Sequence, residues 1–357
     1  MSRKKVLFVI SSLSGGGAER VLVNIANQMI NDGFVVEIIK TSPKNPGNYG
    51  IDKSINVIEL PKFNTNSVFK AIKIIKCIRH EIKIRNDFTI ISFLSDNNIL
   101  TILAGIFLPN KTIICERNDP SKNFGNSLLR KVRNFIYLFA DWNVFQTEDA
   151  KNYFCKHIQK KGTIIPNPVL IPQDLVLPYR GYEGRILAVG RLTKQKNYYM
   201  MISAFSTFLE NHMNYTLDIY GIGELEDDLK RFVKEKGLEN KVIFHGFSED
   251  IYRIMSESTI YVSTSDYEGI SNTMIEALAL GVPTIVTDCP VGGARLMIDN
   301  GVNGFIIPVG DSDALINKLC ELADNGRLRN QLSEEARKIR EKFNLQNVAK
   351  MWERLCE

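Results

Sequence analysis

Twice along this chain a short, unbroken apolar run ends in a glycine-bearing turn and passes into an amphipathic helix. Val6–Ile10 runs into Ser-Ser-Leu-Ser-Gly15-Gly-Gly17, then into a helix striped with Leu22, Ile25, Ala26 and Met29. Arg185–Val189 runs into Gly190-Arg-Leu-Thr-Lys-Gln-Lys-Asn197, then into a helix with Met200, Ile202, Phe205 and Leu209. An apolar run without alternation fits a strand covered on both faces, the condition of a parallel sheet between helix layers. Parallel neighbours need crossover connections, so the rest of each half must alternate strand with helix.

It does. In the first half the patterns predict strands at Val35–Lys40, Val57–Leu60, Phe88–Phe93, Thr112–Cys115, Trp142–Phe145 and Gly162–Ile165. Helices are expected over residues 67–85, 98–107, 126–140 and 148–156. In the second half strands are expected at Thr216–Tyr220, Lys241–Phe244, Ile260–Val262 and Thr284–Thr287, with helices over 224–236, 311–325, 328–341 and 345–357. Pro166-Asn-Pro168, Pro172 and Pro178 break the alternation and mark a linker. The fold class is therefore α/β, with two Rossmann-like, doubly wound domains facing across a cleft. Their limits are 1–165, a linker over 166–183, and 184–342; a last amphipathic helix, 343–357, is expected to pack back toward the first domain.

Composition narrows the class. A chain of 357 residues is long for one core and suits two domains. No apolar run approaches the roughly 18–20 residues of a membrane helix, and Val6–Ile10 is too short for a secretory leader. The six cysteines are scattered without a C-x-x-C pair and read as reduced thiols of a cytoplasmic protein; four scattered histidines offer no metal cluster. Residues 1–180 carry 25 Lys and Arg against 14 Asp and Glu, whereas the remainder carries 20 against 26. A basic first half suits an anionic membrane or a phosphorylated acceptor. Nucleic acid is disfavoured, because aromatics do not interleave with that charge.

Chemistry concentrates in the second half. Glu268-Gly-Ile-Ser-Asn-Thr-Met-Ile-Glu276 follows a short apolar run and opens a helix closed by Gly281 and Pro283. Glu268 then sits on the loop and Glu276 about one turn inside the helix. Gly269, Ile270 and Ser271 form a helix mouth whose amides and dipole attract anions. Two carboxylates beside an anion site suit a ligand with phosphate at one end and hydroxyls at the other. Arg191 and Lys196 share one strand-to-helix loop and are placed to converge on a diphosphate, supplying charge a metal supplies elsewhere. Asp311-Ser-Asp313 opens a late helix after Pro308-Val-Gly310 and reads as an N-cap, not a metal site.

Glu268-x7-Glu276, Gly190-Arg191 with Lys196, the Gly15–Gly17 loop, Asp288-Cys-Pro-x-Gly-Gly293 and Asn303-Gly304 together resemble the retaining GT-B glycosyltransferases of the group 1 family, family 4. The likeness spans nearly the whole chain and is strongest to bacterial enzymes that extend lipid-linked glycans, capsule or O-antigen. The resemblance implies metal-independent transfer of a sugar, without cofactor, from a nucleotide donor, UDP-linked types foremost, to a lipid-linked or polysaccharide acceptor. By the same resemblance Arg191 and Lys196 hold the diphosphate, Glu276 the ribose and Glu268 the donor sugar. Gly190 lies on the phosphate loop, and the amides of Gly269, Ile270 and Ser271 cap phosphate and sugar oxygens. Gly246 and Phe247 contact the base, and Gly16 and Gly17 let the first loop close over the donor. On the acceptor side Glu116 is the first candidate base, with Asp96 and Asp119 behind it.

Lys70, Lys73, Lys76, Arg79, His80 and Lys83 recur at helical spacing between Ile72, Ile75, Ile78 and Ile82. Such a helix lies well on an anionic membrane or along a lipid pyrophosphate, which places the protein peripherally on the inner face of the cell membrane. The segment Leu128–Phe139, with Arg130, Lys131 and Arg133, reads as core on one side. Two other functions fit parts of the pattern: a non-catalytic nucleotide-sugar-binding module, and a sugar-nucleotide epimerase of the same fold.

Overall fold

Both apolar runs become central strands. The structure is a computed structural model that describes residues 3–42, 50–171, 179 and 184–357. The chain divides into two compact units, one of Met1–Pro168 with Leu345–Glu357, the other of Val169–Asn344. The first boundary falls at Pro168, inside the expected linker; Pro172 and Pro178 of that linker lie outside the described residues. Helix-forming residues 345–357 belong to the first unit.

In the first unit the strands are β1 (Lys5–Ile10), β2 (Val35–Lys40), β3 (Asn56–Glu59), β4 (Thr89–Phe93), β5 (Thr112–Cys115), β6 (Trp142–Phe145) and β7 (Gly162–Ile164). They pair in parallel in the order β3-β2-β1-β4-β5-β6-β7. The helices are α1 (Gly17–Asn31), α2 (Ser67–Ile84), α3 (Ser95–Gly105), α4 (Ser127–Ile136), α5 (Glu148–Asn152) and α6 (Lys156–Lys160). In the second unit β8 (Arg185–Val189), β9 (Thr216–Tyr220), β10 (Val242–Gly246), β11 (Ile260–Ser263), β12 (Thr284–Thr287) and β13 (Phe305–Ile307) pair in parallel as β10-β9-β8-β11-β12-β13. Its helices are α7 (Tyr198–Phe208), α8 (Glu226–Glu235), α9 (Ile251–Ser256), α10 (Asn272–Leu280), α11 (Gly293–Met297), α12 (Ser312–Asp324), α13 (Gly326–Arg337) and α14 (Ile339–Lys342). Helix α15 (Leu345–Leu355) returns to the first unit, where it packs on α1 and stacks Trp352 on Phe93 at 5.3 Å. In both sheets the order reverses beside the first strand, at β1/β4 and at β8/β11. Ligands of doubly wound sheets bind at the carboxyl ends of the strands at such points.

Several expectations are corrected. The single helix over 148–156 is two, because Cys155 takes extended backbone and buried Phe154 packs on Phe145 and Tyr137. The helix over 328–341 likewise breaks at Lys338. Helices α9 and α11 and strand β13 were not expected at all; at six, five and three residues they are too short to show a period. On α2 the buried stripe is Ile74, Ile78 and Ile82, while Ile72 is exposed. Arg79 leaves the basic face and donates to the carbonyls of Ala104 and Ile106, which close α3. The largest reversal concerns α4. Its apolar residues Leu128, Leu129, Val132 and Phe135 face solvent, and among the residues of the helix Arg133 is the buried one. As expected, Asp311 is the N-cap of α12, accepting from the Ala314 amide at 2.8 Å.

Candidate active site

The loops that follow β8 and β11 lie at the reversal point of the second sheet and are laced together. The Asp266 amide donates to Gln195 O at 2.9 Å, and Gln195 Nε2 to Tyr267 O at 2.8 Å. Thr264 Oγ1 donates to the carbonyls of Lys196 and Asn197, both at 3.0 Å. Asn197 takes the left-handed conformation (φ 47°), caps α7 and donates to Asp266 Oδ1 at 2.8 Å. Asn tolerates that conformation better than most residues, so it ends the loop with Lys196 turned toward Glu268.

Lys196 Nζ forms an ion pair with Glu268 Oε1, which also accepts from Ser265 Oγ at 3.1 Å. The two side chains are 15% and 18% exposed, enough shelter to strengthen the pair and enough opening to meet a ligand. Arg191, on the same loop, is exposed and forms no ion pair among the described residues. Behind Glu268 lies a water-sized cavity of about 20 Å³, lined by Ser263, Ser265, Gly269, Ser271 and Thr287 among others.

Beside this pair stands the mouth of α10. Ser271 caps it by accepting from the Met274 amide, and its hydroxyl chains through Thr273 Oγ1 (3.1 Å) to Tyr261 OH (2.8 Å). Burial pushes the Tyr261 phenol above its ordinary range, so it serves as a neutral hydrogen-bonding group. Gly269 and Ile270 are held from behind. A Cβ on Gly293 would lie 1.9 Å from Gly269 O, so the start of α11 presses directly on that peptide. This gives Gly293 a packing reason, and the left-handed backbone (φ 67°) gives Gly292 a conformational one. Similarly a Cβ on Gly221 would lie 1.9 Å from Gly190 O, which seats the Gly190 loop against the end of β9. Gly246 ends β10 with φ 70°, and Phe247 after it is largely exposed. Glu276 is buried inside α10, 2% exposed, and is engaged by neighbouring groups.

In the first unit the glycine loop is tied to its own helix. Gly16 and Gly17 are exposed, but the Gly15 and Gly16 amides donate to Glu19 Oε2 at 2.9 and 3.0 Å. Ser12 Oγ donates to the other carboxylate oxygen at 2.5 Å. The anion at this helix start is thus the protein's own.

The three acids weighed for the acceptor side separate cleanly. Glu116 is 2% exposed and surrounded by its partners: Ser95 Oγ at 2.8 Å, Tyr137 OH at 3.0 Å, Asn123 Nδ2 at 3.3 Å and Arg133 Nη1 at 3.9 Å. Burial pushes its carboxyl up, against the pull of Arg133 and the donated hydrogen bonds. Sealed in this way it holds the chain, and the expectation that it meets an acceptor directly has no surface to act through. Asp119 is buried and closes a local turn onto Ser121, at 2.8 Å from its amide. Asp96 is exposed and lines a pocket of about 490 Å³ with Leu94, Ser95, Asn123, Phe124, Gly125 and Leu129. Leu94 and Phe124 both hold positive φ, 77° and 68°, a strained state for such side chains that clusters at ligand sites.

Sequence reading missed Gln195, Asn197, Ser265 and Thr273, which position the named residues without standing in a motif. The Asn directly before the α7 pattern was a usable signal for one of them.

Residues 179–339 match the family model described as glycosyl transferases group 1, and residues 15–170 match that of glycosyltransferase family 4. The chain is 27% identical over 357 residues, 98% of each chain, to the Campylobacter jejuni GalNAc-alpha-(1->4)-GalNAc-alpha-(1->3)-diNAcBac-PP-undecaprenol alpha-1,4-N-acetyl-D-galactosaminyltransferase. It is 25% identical, again over 98% of each chain, to an amylovoran biosynthesis glycosyltransferase of Erwinia amylovora. Among solved structures, Anabaena HepE in complex with UDP and glucose superposes with a TM-score of 0.82 at 18% identity, covering 99% of each chain.

Proposed function

This chain belongs to the group 1 glycosyltransferases and has their GT-B fold, and from that premise we propose a retaining transferase that moves a sugar from a UDP-linked donor to a lipid-linked bacterial glycan. The observation that carries the reading is the Lys196–Glu268 pair, laced into place at the strand ends with Arg191 exposed beside it. Breaking the bond between anomeric carbon and phosphate leaves negative charge on the departing diphosphate. Lys196 and Arg191 meet that charge as it develops, and the first-turn amides of α10 add to it. Fixed cations in a sheltered loop do this without reorganising at the moment of reaction, so no metal is assigned to the step. Glu268 orients the donor sugar through its hydroxyls. The leaving phosphate takes the acceptor proton, and no covalent sugar–enzyme intermediate is invoked. Phe247 and Gly246 offer a face and a backbone edge to the base. Glu276 reaches the ribose by exchanging partners inside α10.

On the acceptor side Asp96 replaces Glu116, since it is the carboxylate that opens on a pocket of sugar size. Among the described residues no helix is long and apolar enough to cross a membrane, so a lipid-linked acceptor is met from the surface of the bilayer. The relatives that support this part of the reading are the Campylobacter enzyme, whose name specifies an undecaprenol diphosphate, and the amylovoran enzyme.

Thermal-shift binding against UDP-, GDP-, ADP- and dTDP-sugars, with and without EDTA, tests the proposal. A ligand at ~100 times its Kd stabilises by about 2.7 kcal/mol, which is measurable. One stabilising UDP-sugar, indifferent to EDTA, is expected. A shift that EDTA abolishes overturns the metal-free step, and silence from folded protein overturns the nucleotide-sugar site itself.

A further inference from the structure

Helix α4 turns its chemistry inside out. Leu128, Val132, Phe135 and Phe139, on or just beyond it, recur at helical spacing and stand in solvent, Leu128 at 66% and Phe135 at 61% exposed. Phe135 and Phe139 meet edge to face at 5.6 Å. The inward side is held by Arg133, which packs against Tyr137, Tyr153 and Phe154 and donates to Pro120 O at 2.9 Å. The apolar stripe is therefore not waiting for the unit's own core; the core side is already filled.

The neighbours extend the surface. Helix α2 packs on α3 and α3 on α4, so the three form one layer. At its borders Val68, Phe69 and Ile72 of α2 and Phe107 after α3 are exposed, Phe107 at 99%. The charges among them are positive: Lys70, Lys73 and Lys76 on α2 and Lys131 on α4 stand exposed. No acid occurs between Ser127 and Phe139, and the one acid of α2, Glu81, is paired with Arg85. Contiguous apolar surface of this kind marks an interaction site, and with Asp96 as the one acid of α3 the excess of cations over acids selects an anionic occupant.

We propose that the outward stripe of α4 inserts into the headgroup region of an anionic phospholipid bilayer, with the lysines of α2 as its electrostatic contact. This deepens the membrane reading above and rests on its lipid-linked acceptor. The 490 Å³ pocket shares Leu129 with α4, so a protein seated on this stripe presents that pocket at the lipid surface, where a lipid-anchored sugar is found.

The test uses the full chain in co-sedimentation with phosphatidylcholine vesicles, with and without phosphatidylglycerol. The triple variant Val132→Ser, Phe135→Ser, Phe139→Ser is expected to lose at least about tenfold in partition onto anionic vesicles, from the apolar area withdrawn. Lys70→Gln, Lys73→Gln and Lys76→Gln are each expected to cost about fivefold, and only where phosphatidylglycerol is present. All four variants should keep the wild-type Tm and nucleotide-sugar shift, because the substituted side chains are exposed. Vesicle binding unchanged in the triple α4 variant overturns the proposal. So does a wild-type dimer in sedimentation velocity that the α4 substitutions dissolve, since the stripe is then an interface between copies. Absent vesicle binding with turnover retained on a short-chain acceptor sinks this surface and leaves the transferase standing.

Discussion

Glu116 follows β5 in the first sheet and Glu268 follows β11 in the second, and each faces a cation. Their surroundings differ in one respect. Four side chains close over Glu116, and Arg133 opposite it has no exposure. Glu268 keeps one side toward solvent, and so does Lys196. The same pair of charges is a fastener in one unit and a prepared site in the other. Exposure, which depends on residues far along the chain, separates the two roles.

The contrast is broken most directly at Glu116. Glu116→Ala leaves the Arg133 guanidinium buried without its carboxylate, and removing one partner of a buried pair costs about 3–5 kcal/mol. We expect Tm to fall by many degrees, with the loop 117–125 and the pocket around Ser95 and Asn123 disturbed as a consequence. Glu116→Gln keeps an acceptor for Ser95 and Tyr137 and should lose much less. Circular-dichroism melts of the two variants beside turnover give the comparison. If Glu116→Ala melts with the wild type yet loses turnover, the carboxylate touches substrate and the assignment as a fastener fails.

At the other pole, Lys196→Ala should leave the melt nearly unchanged and lower kcat by about 10²–10³, the range for loss of one group that stabilises developing charge. The substitution also frees Glu268, but with one side in solvent that carboxylate has water to turn to. Steady-state kinetics with the donor found by thermal shift would decide it. Near-normal kcat would remove Lys196 from the diphosphate.

What was legible in the sequence follows the range of the interactions. Apolar runs and glycine turns are local, so every strand but the three-residue β13, and the mouth of α10, were readable. The Lys196–Glu268 pair joins residues 72 apart, and only the two motifs that contain them hinted at the contact. The lace through Gln195, Asn197 and Thr264 runs largely to backbone carbonyls, which no side-chain pattern reports. Helix α4 misled for a definite reason. Its periodicity names two faces correctly but not which one is inward, and Arg133 settles that by pairing with a carboxylate on a different loop. The contact of the Gly15 and Gly16 amides with Glu19 is likewise one that glycine spacing does not report.

A third carboxyl sharpens the comparison by lacking a close cation. Glu353, on α15, lies against Asp32 at the end of α1, with Lys350 and Lys4 contributing weaker attraction. Desolvation and then the Asp32 carboxylate raise its pKa from 4.5 to about 7. The sign follows from linkage: the folded state holds this proton more tightly, so the associated stability is complete at low pH and is lost as pH rises toward and through 7. Glu353→Gln fixes the neutral form. It should match the wild type in Tm near pH 4.5 and exceed it above pH 7, by about 1–2 °C in a chain of this size. Melts of both proteins across that window measure the gap directly. A gap that stays constant with pH would mean that the side chain acts by shape alone. The expected widening shows instead what burial does to a carboxylate when neither an Arg133 nor a Lys196 stands opposite it.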